Sequence, residues 1–167
     1  MSNQMLNCLE SKNIPIFNLK HDTSNVDLIT IRNVLKQNGI VVLKNYYSKE
    51  EVVSMKEEIK KFDEKFIKTK NVENCSGDFR LFHVERYSAL LERLISNNDL
   101  FNKIASFYKD PRHFNKKLLL NKLVYDAENI TSSGGGWHRD NHHCQFKTLV
   151  YMSDVELGNG NFQFIVN

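Results

Sequence analysis

The chain has 167 residues, 41% hydrophobic and 26% charged, which fits one ordinary soluble domain and leaves no room for two full ones. Its 23 basic and 20 acidic residues give a net charge of +3, too mild to argue for a nucleic-acid partner or a membrane surface. Two prolines and seven glycines exclude a linker-like or collagenous chain, and no apolar run approaches the ~20 residues that span a bilayer.

The first twenty or so residues are weakly patterned, apart from a short apolar patch at Ile14, Pro15, Ile16 and Phe17. From Ser24 a helix is predicted. Ser24 and Asp27 make a capping pair, Leu28, Ile31 and Leu35 fall on one face, and Asn38-Gly39 stops the helix. The β-branched and apolar run Ile40 to Leu43 predicts a buried strand. Ser48 and Glu51 then form a capping box for the clearest helix in the chain. Along it Val52, Met55, Ile59, Phe62 and Phe66 alternate at three and four spacing, while the balanced Lys and Glu/Asp of the other face make a solvated surface.

Asn71 to Gly77 is expected to be a loop, and Phe79, Leu81 and His83 alternate as a short strand. Helices are expected around Ser88 to Ile95 and from Asn98 to Tyr108, the latter ended by Asp110-Pro111. Beyond Pro111 the character changes. Leu118 to Tyr125, Phe146 to Met152 and Asn161 to Val166 carry strand period, punctuated by Gly134-Gly135-Gly136 and Gly158-Asn159-Gly160. The expected fold class is therefore α+β, helix-rich over 1–112 and strand-rich over 113–167.

The first ten residues lack both a basic and an apolar signal region, so a cytoplasmic location is expected. Cys8, Cys75 and Cys144 are odd in number and widely spaced, which suggests neither a disulfide framework nor a CxxC metal clip.

Chemistry concentrates in Gly134-Gly135-Gly136-Trp137-His138-Arg139-Asp140. In extended backbone, residues i and i+2 point to the same side, so the His138 imidazole and the Asp140 carboxylate converge. One nitrogen and one hard anionic oxygen make half a site for a divalent transition metal, and one more histidine would complete the facial triad of non-haem Fe(II) oxygenases. The competing reading of the bare triplet is a surface His and Asp near a turn. Lys122 shares a strand face with Leu118, Leu120 and Val124, where a lysine either meets an anion or reaches water near a strand end.

The ordered series Leu118-Leu119-Leu120-Asn121-Lys122, Trp137-His138-Arg139-Asp140, Leu149 to Val155 and Gly158-Asn159-Gly160-Asn161-Phe162-Gln163-Phe164-Ile165 resembles the phytanoyl-CoA dioxygenase family. Asn38-Gly39-Ile40-Val41-Val42-Leu43, followed by a Ser-capped helix, resembles that family's N-terminal region. The resemblance runs from about Leu28 to the end. It implies an Fe(II)- and 2-oxoglutarate-dependent oxygenase on a double-stranded β-helix (jelly-roll) scaffold, acting on a small organic substrate. It implies that His138 and Asp140 are two of three iron ligands and that Lys122 contacts the 2-oxoglutarate carboxylate.

Family members continue past the segment equivalent to Phe164-Ile165 to a second histidine ligand and a 2-oxoglutarate-binding arginine, whereas this sequence stops at Asn167. The expectation is thus one oxygenase-like domain, its jelly-roll partial and lacking both closing residues, with weak metal affinity. Two other readings stand beside it: a catalytically inactive fragment or relic, and a cupin-like metal-binding protein without 2-oxoglutarate. The cupin-like reading predicts a closer His-rich set that is not found here.

His142 and His143 are expected to line the site mouth or face solvent rather than to ligate, because the glycines before them and the strand pattern after them disfavour a helix. Trp137 is expected in the core, Arg139 in a structural role and Cys144 as a small apolar residue. His83 and Arg86 fall where an enzyme of this kind recruits substrate contacts, although nothing anionic is identified near them.

Overall fold

A computed structural model describes residues 16–19, 26–66, 72–75, 78–108, 117–123, 138–140, 142, 145–155, 162 and 164. The chain divides into two compact units, one of Met1–Ser48 with Gln163–Asn167 and one of Lys49–Phe162. Both contain helices and strands, an α+β mixture in which the described sheets have two and three strands.

The first unit is a strand–helix–strand device. Strand β1 (Ile16–Asn18) and β2 (Val42–Lys44) pair in parallel, with Phe17 opposite Leu43. A parallel pair cannot be joined by a tight turn, and helix α1 (Leu28–Asn38) supplies the crossover. Asp27 caps α1: its Oδ1 accepts from the Ile29 N–H at 2.9 Å and its Oδ2 from the Thr30 hydroxyl. These bonds, that from Thr30 first, hold the Asp27 carboxyl below its usual range. The helix therefore starts at Leu28 with Asp27 itself as cap, and Ser24 lies outside the described residues.

Gly39 ends α1 as expected, at φ 72° with its N–H donating to the Leu35 carbonyl at 2.8 Å. A Cβ there would stand 3.0 Å from the Phe164 ring, so both backbone and space call for glycine. Ile31 and Val34 are buried on the inner face of α1. The strand after it starts two residues later than its apolar run predicts and takes in Lys44, because the ladder with β1 sets its limits.

The second unit begins with helix α2 (Lys49–Phe66), directly after Ser48 as expected. Met55 and Phe62 are buried, with Val52 and Ile59 half-buried on the same face. Glu50 and Glu51 sit in the first turn, where the helix dipole favours anions. Strands β3 (Val72–Cys75), β4 (Asp78–Phe82) and β5 (Leu119–Leu123) form an antiparallel sheet in the order β3–β4–β5. The expected loop at Asn71 to Gly77 thus contains a strand, and the fully buried Leu81 lies on the central one.

His83 does not continue β4. It adopts φ 62° and turns the chain into a 3-10 turn at Val84–Arg86. Ser88 then caps helix α3, which begins as Ala89–Leu91 and widens into a π-turn at Glu92–Ser96. The nearly buried Ser88 Oγ accepts from the Leu91 N–H at 3.2 Å. Asn98 caps helix α4 (Asp99–Ser106) by accepting from the Phe101 N–H at 3.1 Å. Among the described residues of this unit, Val84, Leu91, Leu100 and Ile104 join Met55, Phe62 and Leu81 as buried apolar side chains.

Of the five described strands, four precede residue 112, β1 and β3 among them where no strand is expected, and every described helix precedes it too. The expected strand at Phe146 to Met152 does not form. Phe146, Val150 and Met152 are half-buried and Lys147, Leu149 and Tyr151 exposed, an alternation broken by the exposed Thr148, but among the described residues no ladder partner pairs with it. Period-2 hydrophobicity specifies a face, whereas a strand also needs a neighbouring edge. Among the described residues no helix is long and apolar enough to cross a membrane.

Candidate metal half-site at His138 and Asp140

His138 and Asp140 come together as their i, i+2 spacing predicts: His138 Nε2 stands 3.1 Å from Asp140 Oδ1. The second carboxylate oxygen, Oδ2, accepts a hydrogen bond from the Lys147 ammonium. Lys147 first, and His138 after it, hold the Asp140 carboxyl below its usual range against a small opposing effect of burial. The pair is open to solvent, with His138 56% and Asp140 51% exposed. Arg139 between them is exposed too, as is His142.

Lys122 is the penultimate residue of β5, opposite Phe79 of β4, and its side chain is exposed. Its neighbours Leu118 and Leu120 are half-buried, so the strand leaves the apolar face as it reaches Lys122. The groups acting on Asp140 are Lys147 and His138, not Lys122. Among the described residues no group of three His, Cys, Asp or Glu side chains is placed to hold a metal. Gly134–Gly136, Trp137, His143, Cys144 and Gly158–Gly160 lie outside the described residues.

His83 lies beside a carboxylate, although the sequence pattern identifies nothing anionic near it. Its Nδ1 stands 3.1 Å from Glu85 Oε1, and Glu85 Oε2 accepts from the Leu118 N–H at 3.0 Å. The Val84 N–H donates to the Leu118 carbonyl at 3.2 Å. Residues 83–85 thereby clasp the chain as it enters β5, the strand that carries Lys122. Burial raises the Glu85 carboxyl, but the Leu118 N–H and His83 outweigh it and leave the group low. Arg86 is exposed beside this clasp.

Sequence reasoning missed Lys147 and Glu85. Lys147 follows Asp140 by seven residues with no cap or turn motif to link them, and Glu85 reaches across 33 residues to Leu118. The i, i+2 spacing of His83 and Glu85 was the only local signal for the clasp. No family model matches the chain, and neither a search of curated proteins nor one of solved structures finds a match.

Proposed function

We propose that this chain carries one imidazole and one carboxylate of the Fe(II) centre of a 2-oxoglutarate-dependent oxygenase resembling the phytanoyl-CoA dioxygenases, on the opening strands of a jelly-roll scaffold. The observation that carries the reading is the 3.1 Å approach of His138 Nε2 to Asp140 Oδ1. The donor types fit: a neutral imidazole nitrogen and a hard carboxylate oxygen are the mixed set that non-haem Fe(II) takes. The contact between them needs a hydrogen on Nε2, and that nitrogen gives it up to become a ligand.

Two donors are one short of the triad, so the chain's metal affinity is expected to be weak. When bound, iron with 2-oxoglutarate supplies the oxidising power for hydroxylating a C–H bond of a small organic substrate. The chain's own part is to present His138 and Asp140 on one side of the backbone. Lys122, exposed on β5, offers a cation to the dicarboxylate co-substrate.

A second reading, a catalytically silent protein that holds no iron, is favoured by Lys147, whose ammonium already neutralises Asp140. Anaerobic titration with Co(II) as probe separates the two. The oxygenase reading expects weak, saturable binding that His138→Ala and Asp140→Ala both abolish, with negligible succinate formation from 2-oxoglutarate, Fe(II) and ascorbate. Binding that ignores both substitutions, or none at all, decides for the silent protein.

A further inference from the structure

Asp140 has two carboxylate oxygens with different partners: Oδ1 faces His138, while Oδ2 holds the Lys147 ammonium. A cation already sits where a metal's charge would have to be placed. We propose that Lys147 is an intramolecular counter-cation that competes with a divalent metal for Asp140 and so sets the metal affinity of the His138–Asp140 pair. The inference rests on the half-site reading of that pair and deepens it by naming what governs its occupancy.

The competition is electrostatic. An ammonium within hydrogen-bond distance of the carboxylate repels a divalent ion on the same group and fills a lone-pair direction that the ion would use. The lysine stem is flexible and Lys147 is 61% exposed, so its ammonium exchanges the carboxylate for water without unfolding anything around it. Exposure also limits the effect. An exposed ion pair is worth at most about 1 kcal/mol, which corresponds to roughly a fivefold change in a dissociation constant. Lys147 is therefore a positioning residue that tunes the site rather than one that closes it.

The test is a Co(II) titration of the full chain and its variants at low ionic strength. Lys147→Met, which keeps the stem and removes the charge, is expected to tighten binding about two- to fivefold. Lys147→Arg, which keeps the charge, is expected to bind as the parent does. The gap between parent and Lys147→Met should narrow as salt is raised. A second readout follows the lysine itself. Acetylation of Lys147 by a small activated ester, followed by mass spectrometry with exposed Lys36 as the internal reference, is expected to speed up when Co(II) is added.

Unchanged or weaker binding in Lys147→Met, while His138→Ala and Asp140→Ala still abolish binding, overturns the competition and leaves the half-site standing. Binding that is absent, or indifferent to His138→Ala and Asp140→Ala, overturns the half-site and the competition with it.

Discussion

From Asp78 to Ile104 each successive element of the larger unit buries an apolar side chain, from Leu81 and Val84 through Leu91 to Leu100 and Ile104. From His138 to Val155 no described side chain is fully buried. The first stretch is held by packing and by side chains bonded to backbone, as at Ser88, Asn98 and Glu85. The second is held by the His138–Asp140–Lys147 contacts, by the stacking of Phe146 on Tyr108 at 6.2 Å, and by the Tyr151 hydroxyl accepting from the Phe162 N–H. The difference teaches where stability and chemistry reside. Packed helices and sheet supply the free energy of folding, and the candidate site sits on a stretch that contributes little to it.

Substitutions on the two sides of this contrast should separate cleanly. Leu91→Ala empties a buried leucine position and is expected to cost about 2–5 kcal/mol in denaturant unfolding. Asp140→Ala is expected to stay within about 0.5 kcal/mol of the parent, since it removes only exposed contacts. Comparable losses from both would break the contrast and make the site stretch part of the folding core.

The clasp at Glu85 sharpens the same point at intermediate size. Glu85 is 15% exposed and serves a backbone N–H and an imidazole at once. Glu85→Ala strands the Leu118 N–H and should cost about 1–3 kcal/mol. The pH dependence has a defined sign. The Glu85 carboxyl is lower in the folded state than in the unfolded one, so its contribution is present above the unfolded value and is lost as pH falls through the folded value. The stability gap between the parent and Glu85→Gln should therefore be full near neutrality and shrink once pH drops below about 4.3. A gap that widens on acidification would mean that Glu85 is held protonated and that the clasp works differently.

Local signals in the sequence were legible wherever one element satisfied itself. Asn38-Gly39 announced a helix stop, and Ser88 and Asn98 the starts of two helices, because a helix end is settled within three residues of chain. The face of α2 and the convergence of His138 with Asp140 were readable for the same reason, as consequences of fixed periods. What could not be read depends on distant partners. The parallel pairing of Ile16–Asn18 with Val42–Lys44 is a property of the crossover between them, and three residues carry too little pattern to announce it. Phe146 to Met152 shows the converse, a strand pattern without a ladder among the described residues. The partner of Asp140 was also hidden, because Lys147 follows it by seven residues with no local motif to link the two.

The smallest expected effect is also the one that distinguishes the two stretches by mechanism rather than by size. Lys147 and Asp140 form an exposed pair, so Lys147→Met should change the unfolding free energy of the metal-free chain by less than about 1 kcal/mol. What change there is should vanish near 1 M salt, where the screening length falls to about 3 Å. The Glu85 contribution should persist under the same conditions, because its bond to the Leu118 N–H is shielded from solvent and directed at backbone. Parallel unfolding curves at low and high salt for parent, Lys147→Met and Glu85→Gln measure both at once. If the Lys147 effect survived high salt, its contact with Asp140 would have to be packed rather than solvated. A divalent ion would then have to displace a structural bond as well as a mobile charge, and the affinity gained in Lys147→Met would be offset by stability lost around the site.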